Sequence, residues 1–384
     1  MFSKDIKIEI LPAGAGDCIL LEVEKEDYRI LIDGGYAETY NRHLKQRLQV
    51  LAAQGKRINL LVITHIDSDH IGGILAFLKE NGSALNPSVI GVDEVWYNGF
   101  FHMNTEDVQE GPVPYTLKEI LKGSLADDGT TQNSGRKDIS VSQGTTVARL
   151  LVEGGYNWNS MWSGKAVCAE NGEYKYLTEK IGCRLLNPGT EELQELAKFW
   201  IRKLQCTMKN VVLCKDILYS EAFESFFTHN EQFRHEVEIK SISFSCEQEN
   251  SEIDWNARVD AWSGQVDASK TNRSSIAFML EYEGKKLLFP GDCPIQLFSD
   301  KLPKEMDIVK LPHHGSEKNI SREFIEGTDV KYYILSTDGE RHDHPSKVVI
   351  VNILQKAPGA RLLKNYDIPI LEDIGSVERY TDEE

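Results

Sequence analysis

The feature that most limits the possible fold and function of this chain is a six-residue run with four potential metal ligands. Residues 65–70 read HIDSDH, and they directly follow the apolar segment INLLVIT. A continuous apolar run of β-formers predicts a strand that is buried on both faces. A loop at the end of such a strand is a rigid place for ligands. A solvated turn would explain one aspartate and one histidine, but this spacing favours a metal site built from His65, Asp67, Asp69 and His70.

Three later elements also carry ligand residues at the ends of apolar segments. Asp292 ends the segment KKLLFPGD, where a carboxylate could bridge two cations with one oxygen for each. His313 and His314 follow DIVKL, and adjacent histidines diverge in an extended chain, so one could bind metal while the other faces substrate. His342 and His344 follow YYILSTDG. Six of the ten histidines lie in HIDSDH, in the pair at 313–314 and in the segment 342–344.

Composition limits the classes of function. The formal net charge is −17, which disfavours a non-specific nucleic-acid binder, although a bound metal pair can reverse the local field. The seven cysteines are odd in number and form no CxxC pair, so a reducing compartment is expected. The sequence has neither a signal-peptide pattern at its start nor an apolar run of about 18 residues. We therefore expect a cytoplasmic protein without membrane contact.

Hydrophobic patterning predicts an α/β organisation. Short strand patterns occupy both ends of the chain, and SSIAFMLEYEGKKLLFPGD predicts a hairpin that turns at Glu283-Gly284. EELQELAKFWIRKLQ and LYSEAFESFFTHNEQFRHE predict helices between those ends, and the polar segment 251–272 predicts a loop. Two packed sheets covered by helices would satisfy this pattern. We predict one domain over residues 1–384 with a helical and loop insert at 190–270.

The motifs resemble those of a known superfamily. THIDSDHIGG resembles the HxHxDH signature of the metallo-β-lactamase superfamily, and more closely the HxDxDHxGG variant in the hydrolase domain of the ComEC family of DNA-uptake channel proteins. GAGDCILLE, ILIDGG, NRSSIAFMLEYEGKKLLFPGD, KLPHHGS and HPS resemble further motifs of that subfamily, in the same order. The resemblance covers about 7–100 and 270–355. The channel portion of the ComEC proteins has no counterpart here.

The resemblance implies an αββα four-layer sandwich with a dinuclear metal site. The implied ligands are His65, Asp67, Asp292 and one of His313 and His314 for the first cation, and Asp69, His70, Asp292 and His344 for the second. His314 is favoured as the ligand and His313 as a substrate contact, and Asp33 would orient a ligand histidine. The superfamily's usual histidine between the first cluster and the bridging aspartate has no clear match, so the HHGS histidine is assigned that place.

The implied reaction is hydrolysis by a hydroxide held between two cations, which attacks a phosphorus or carbonyl centre. Asp69 could accept a proton, and His313 or His342 could stabilise negative charge or protonate the leaving group. Zinc is the first expectation for the two divalent ions. Manganese is the second, because Asp67 replaces an imidazole and hardens the site.

Three functions remain open at this point. The resemblance favours a phosphodiesterase or nuclease, with nucleic acid or a phosphoester as substrate. The second is a small-molecule hydrolase acting on a phosphoester, lactone or lactam. The third is a metal-stabilised subunit of a larger assembly, in which the 190–270 segment would dock a protein partner or associate with itself.

Overall fold

The computed structural model describes residues 5–103, 146–207, 217–238, 255–341, 343–357 and 359–368. Within these ranges the strands are β1 Ile6–Ile10, β2 Ile19–Val23, β3 Tyr28–Ile32, β4 Ile58–Val62, β5 Val92–Trp96, β6 Tyr174–Tyr176, β7 Ile181–Asn187, β8 Ala277–Tyr282, β9 Lys285–Phe289, β10 Glu305–Lys310, β11 Asp329–Leu335 and β12 Arg361–Lys364. The helices are α1 Ala37–Thr39, α2 Lys45–Ala53, α3 Ser68–Asn81, α4 Val147–Glu153, α5 Thr190–Thr207, α6 Ile217–Glu238, α7 Trp255–Asp260, α8 Lys270–Arg273, α9 Arg322–Gly327 and α10 Lys347–Lys356. A π-helical turn, Tyr40–Leu44, joins α1 to α2.

The strands form two sheets. The first sheet has the order β1-β2-β3-β4-β5 and the second has the order β12-β11-β10-β9-β8-β7-β6. In the first sheet, β1, β2 and β3 pair antiparallel, and β3, β4 and β5 pair parallel. In the second sheet, β12 to β9 are parallel, and β9 to β6 are antiparallel. The predicted mixed α/β architecture with two sheets and helices is confirmed.

Alternating side chains explain why the central strands are apolar throughout. In β4, Leu60 and Val62 join the core between the two sheets, and Leu61 joins the core under the helices that cover the first sheet. In β9, Leu287 faces the core between the sheets, and Leu288 faces the helices of the second sheet. Successive side chains of a strand point to opposite faces, so a strand with two buried faces needs apolar residues at consecutive positions.

Two local predictions have different outcomes. The hairpin is confirmed, because β8 and β9 pair around Glu283 and Gly284, whose φ angles are +48° and +77°. Two positive φ angles are typical of the tight turns that suit the twist of paired strands. The loop predicted over 251–272 is wrong in part, because α7 and α8 lie within it. α8 begins where the Ser269 side chain accepts a hydrogen bond from the Asn272 amide.

Helices α5 and α6 coincide with the two long helices predicted from the sequence, and they lie in the connection between the neighbouring strands β7 and β8. Their apolar side chains form a cluster that includes Trp200, Tyr219 and Phe223. Whether residues 190–270 are an insert within a single domain stays a prediction. Within the described ranges, no helix is both long enough and apolar enough to cross a membrane.

Candidate metal centre

The ligand residues come together where strand ends of the two sheets meet. β4, in the first sheet, leads into the HIDSDH loop, and β9 and β10, in the second sheet, lead into Asp292 and the two adjacent histidines. The amide of Ile276 donates a hydrogen bond of 2.9 Å to the carbonyl oxygen of Thr64, which joins the sheets at this end. α3 begins at Ser68, so Asp69 lies in its first turn and not in an extended segment.

Four imidazoles surround one carboxylate oxygen, Oδ2 of Asp292. Their Nε2 atoms lie 3.4 Å from it in His70, 3.7 Å in His314, 3.8 Å in His313 and 3.9 Å in His65. Asp292 and the two adjacent histidines follow the paired strands β9 and β10 of the second sheet, whereas His65 and His70 follow a strand of the first sheet. The packing of the two sheets brings these two sets together.

An unusual turn brings both adjacent histidines to the same oxygen. His313 and His314 have φ angles of +45° and +57°, in the left-handed region that residues other than glycine rarely adopt. The sequence favoured divergence of their side chains, which an extended backbone would produce. Because both residues are left-handed, both Nε2 atoms instead reach Asp292. Backbone strain of this kind is concentrated at functional sites.

The carboxylates of the HIDSDH loop divide between two sides of the cluster. Asp67 Oδ2 lies 3.6 Å from Nε2 of His65. Asp69 Oδ2 lies 3.7 Å from Nε2 of His70 and 3.4 Å from Nε2 of His314. Two groups of close ligand atoms result, namely His65, His70 and Asp292, and Asp69, His70 and His314. His314 therefore stands with Asp69, whereas the sequence had placed it with His65.

Of the last predicted pair, His342 and His344, the structure describes only His344. The ring of His344 lies against the ring of His313, with 4.9 Å between the ring centroids, on the side toward the loop that follows β11. His344 belongs to none of the three groups of close ligand atoms found among the described residues. His342 lies outside the described residues, so its predicted role stays a prediction.

The charges of the cluster are strongly coupled. Burial alone would raise the pKa of the Asp292 carboxyl, but the imidazoles of His70, His314 and His313 hold that pKa well below its usual range. Burial opposes protonation of His70, yet the carboxylates of Asp292, Asp69 and Asp33 raise its pKa well above the usual value. Positive charge beside the buried carboxylates therefore stabilises them, and either a proton or a metal cation can supply that charge.

The residues fit divalent cations. The Nε2 atoms of His65, His70 and His314 are buried, and none has a hydrogen-bond partner within the described part of the chain. Buried polar atoms without partners are costly, so three of them pointing at one carboxylate indicate a ligand. Imidazole nitrogens with carboxylate oxygens are a donor set that zinc and manganese accept.

A second layer of polar groups orients the ligands. Nδ1 of His70 lies 2.8 Å from Oδ2 of Asp33. The same oxygen accepts a hydrogen bond from the Thr64 hydroxyl, and Oδ1 of Asp33 accepts one from the Thr64 amide. The contact with His70 is the orienting contact that the family resemblance implied for Asp33. The third group of close ligand atoms, Asp17, Asp33 and His70, lies behind the His70 ring, where the Asp33 oxygens are already occupied by donors.

Several residues that support the ligands were not predicted from the sequence. Thr271 of α8 donates to Oδ2 of Asp67 over 3.0 Å. Nδ1 of His313 lies 3.5 Å from Oδ2 of Asp267 and 3.1 Å from Oδ1 of Asn319. Burial by itself would lower the pKa of His313. The carboxylates of Asp292 and Asp267 have a larger effect in the opposite direction, and the pKa is raised to about 9. Asp267 and Thr271 both lie in the polar segment predicted as a loop, where the only signal was the motif that begins NRSS at Asn272.

The helices between β7 and β8 share an apolar cluster with the ligand loop. Ile66, between two of the ligand residues, packs in the cluster of Phe100, Trp200, Tyr219 and Phe223. The ring centroids of Phe100 and Trp200 are 4.5 Å apart, and those of Trp200 and Phe223 are 5.6 Å apart. Because Ile66 is held in this apolar cluster, α5 and α6 help to fix the backbone that carries His65 and Asp67.

The fold and the site define a mixed α/β protein, two sheets with covering helices, that carries a candidate metal centre and is consistent with the metallo-β-lactamase fold. The sequence model of the metallo-beta-lactamase superfamily matches residues 11–129 of this chain. That match includes β4 and the HIDSDH loop, and Asp292 and the later histidines lie beyond it. It supports a metal-dependent hydrolase in general. No curated protein matches the chain.

Proposed function

We propose that the protein is a hydrolase that uses two divalent cations, zinc or manganese, to cleave phosphodiester bonds, as a phosphodiesterase or nuclease. The observation that carries the proposal is the convergence of four imidazole Nε2 atoms on Oδ2 of Asp292, with three of those atoms buried and without partners in the described structure. The preference for phosphodiesters rests on the motifs shared with the ComEC-like hydrolase domain and is an analogy.

The proposal assigns the residues of the cluster to two cation sites and a substrate contact. His65 and Asp67 would hold one cation, Asp69, His70 and His314 would hold the other, and Asp292 would contact both. Bound cations of this kind supply Lewis acidity and hydroxide at neutral pH. His313 is the most exposed of the four imidazoles around Asp292, and Asp267 and Asn319 orient its ring. On this proposal His313 would contact substrate and give a proton to the leaving group.

The test is an assay panel on one metal-stripped preparation that is reloaded with zinc or manganese. The substrates are single-stranded DNA, RNA, bis(p-nitrophenyl) phosphate and a chromogenic β-lactam, and elemental mass spectrometry counts the bound metal. Asp292→Asn should abolish cleavage and reduce the metal content. Asp307→Asn is the matched control, because Asp307 pairs with Lys285 and Lys331 away from the ligands. Cleavage of the lactam alone would refute the phosphodiesterase proposal.

A small-molecule hydrolase is the second candidate, and a specific cavity favours it. Asp267, which contacts His313, also lines a cavity of about 300 Å³ together with Glu191, Glu192 and Glu195. Such a volume is in the range of small-ligand sites. Lys270 and Arg273 also line the cavity, but the four carboxylates outnumber these two cations. Carboxylates repel phosphate backbones, so the cavity suits a neutral or cationic substrate better than a long nucleic acid.

Location and partners complete the proposal. We propose a cytoplasmic protein, and support comes from Cys18, Cys168, Cys183 and Cys293, which are buried free thiols as expected in a reducing compartment. A protein partner or self-association through residues 190–270 is also proposed. If Asp69→Ala removed the metal and left cellular function intact, the role of a metal-stabilised subunit would replace the enzymatic one.

A further inference from the structure

A buried lysine lies directly behind the ligand cluster. Lys310 ends β10, and its side chain is 1% exposed. Two positions earlier, Ile308 packs in the core between the sheets, and Val309 faces the helices instead. By the two-residue period of a strand, Lys310 thus occupies a position on the face between the sheets that is otherwise apolar. A buried lysine is costly unless it is paired, so the groups that face its ammonium must be identified.

The two carboxylate oxygens of Asp292 have different neighbours, and the Lys310 ammonium lies beside one of them. Nζ of Lys310 lies 3.7 Å from Oδ1 of Asp292, and it donates to the carbonyl oxygen of Gly291 over 3.3 Å. The other oxygen, Oδ2, is the one that faces the four imidazoles. The sequence suggested a bridging carboxylate with one oxygen for each cation. In the structure the distances to the four imidazoles are to Oδ2, whereas Oδ1 is buried, makes no hydrogen bond within the described residues and has the Lys310 ammonium 3.7 Å away.

Asp17 holds this lysine in place. Its carboxylate forms an ion pair with Nζ of Lys310, and both side chains are buried. The Asp17 Oδ1 atom lies 3.7 Å from Nδ1 of His314, which also contacts the carbonyl oxygen of Ser336 at 2.8 Å. Asp17 therefore touches two groups that face Asp292, one on each side.

The loop that carries Asp17 is fixed against the ligand loop. The Asp17 amide donates to the carbonyl oxygen of Asp69 over 3.3 Å. A Cβ atom on the preceding residue, Gly16, would lie only 2.0 Å from that same oxygen. Only glycine permits this approach. The position of Asp17, and through it that of Lys310, is therefore set by direct contact with the metal-ligand loop.

We propose that Lys310, held by Asp17, is a positioning residue that keeps Oδ1 of Asp292 beside its ammonium, so that the carboxylate would offer only Oδ2 to bound cations. The inference rests on the proposed metal-dependent function. A role through charge alone predicts the opposite effect of removing the lysine. Loss of a nearby positive charge would strengthen cation binding by Coulomb's law, whereas loss of the positioning contact would weaken the shared site.

The experiment compares manganese binding by the wild type and by the double variant Lys310→Met/Asp17→Asn. The double variant removes both partners of the buried ion pair, so the net charge beside the cluster is unchanged and a role through charge alone predicts unchanged cation affinity. Lys285→Met is the matched control, since it removes a lysine that pairs with Asp307 on the same sheet. Equilibrium dialysis with elemental analysis gives the number and affinity of bound ions. Electron paramagnetic resonance reports whether two manganese ions are magnetically coupled through a shared ligand.

We expect two coupled ions in the wild type and in Lys285→Met. In the double variant the second ion should bind about tenfold or more weakly, and the coupled signal should disappear. Two coupled ions bound by the double variant with unchanged or higher affinity would overturn the inference. A wild type that binds neither manganese nor zinc would overturn the proposed function itself, which is a distinguishable result.

A second variant carries the test if the double variant does not fold. Lys310→Arg keeps the positive charge but replaces a compact ammonium with a larger planar group. A role through charge alone predicts wild-type affinity and coupling, and that outcome would overturn the inference. The positioning role predicts weaker binding of the second ion and loss of coupling. Urea unfolding of the metal-free protein establishes that each variant compared is folded.

Discussion

Asp33→Asn is the substitution that most directly tests how the site orients a ligand. Asp33 is fully buried and accepts hydrogen bonds from Thr64, and its Oδ2 lies 2.8 Å from Nδ1 of His70. A carboxylate can only accept at this position, so Nδ1 of His70 carries the hydrogen and Nε2 keeps a free lone pair for metal. The amide of an asparagine can instead donate to Nδ1. The hydrogen of the imidazole then moves to Nε2, which can no longer bind a cation.

The expected magnitude follows from that single contact. Loss of a partner that orients a metal-bound histidine weakens metal binding about 10–100-fold. That corresponds to roughly 1.4–2.7 kcal/mol at room temperature. Loss of a buried hydrogen bond to a charged group also lowers the free energy of unfolding of the metal-free protein, by at most about 1.5–3 kcal/mol, because removing one of several close carboxylates relieves repulsion.

The assay is zinc affinity by competition with a chromophoric chelator, with urea unfolding of the metal-free protein beside it. Asp93→Asn is the matched control, because Asp93 pairs with Arg57 over 2.7 Å at a half-exposed position of the same sheet. The control should bind zinc as the wild type does. If Asp33→Asn also bound zinc with unchanged affinity, His70 would not be oriented in this way, and the reasoning would be wrong.

Three further outcomes are expected. Asp292→Asn should lose bound metal and hydrolysis together, because the amide replaces an oxygen shared by the ligand groups; metal analysis and activity on one preparation check this, and full metal retention would contradict it. Trp200→Ala should lower the free energy of unfolding in urea by about 3–5 kcal/mol, since Trp200 is fully buried in the cluster that holds Ile66; a loss below about 1 kcal/mol would contradict that packing. Burial lowers the pKa of His102 to about 4, below the value of about 6.5 for an unfolded chain. Between these values only the unfolded state holds the proton, so stability should rise with pH from about 4 to 6.5 by up to about 3 kcal/mol more than in His102→Phe, and equal pH profiles would refute this.

The local elements could be read from the sequence because they depend on short-range pattern. β4 shows consecutive apolar residues since Leu60 and Leu61 face different cores, and that pattern is visible without a structure. The hairpin at Glu283-Gly284 and the helices α5 and α6 were predictable for the same reason. The segment 251–272 was not, because its helices are short and α8 is defined by a cap and by contacts with Asp67 rather than by periodicity.

By itself the sequence determined which residues could serve as ligands, their order along the chain and their places at the ends of apolar strands. Chemistry and spacing are properties of the residues, so His65, Asp67, Asp69, His70 and Asp292 were identifiable as candidates. The single-domain boundaries and the role of His342 stay predictions.

Only the tertiary structure decided how these groups face one another. It placed His314 beside Asp69, turned both adjacent histidines toward one oxygen and set Lys310 against the other oxygen of Asp292. Thr271 and Asp67, which form a hydrogen bond, are 204 residues apart in the chain. Periodicity carries no information on such contacts, because they arise when two sheets pack and their strand ends meet. The physical reason is that direction and distance between side chains are fixed by the packing of distant segments, whereas their chemical identity is fixed residue by residue.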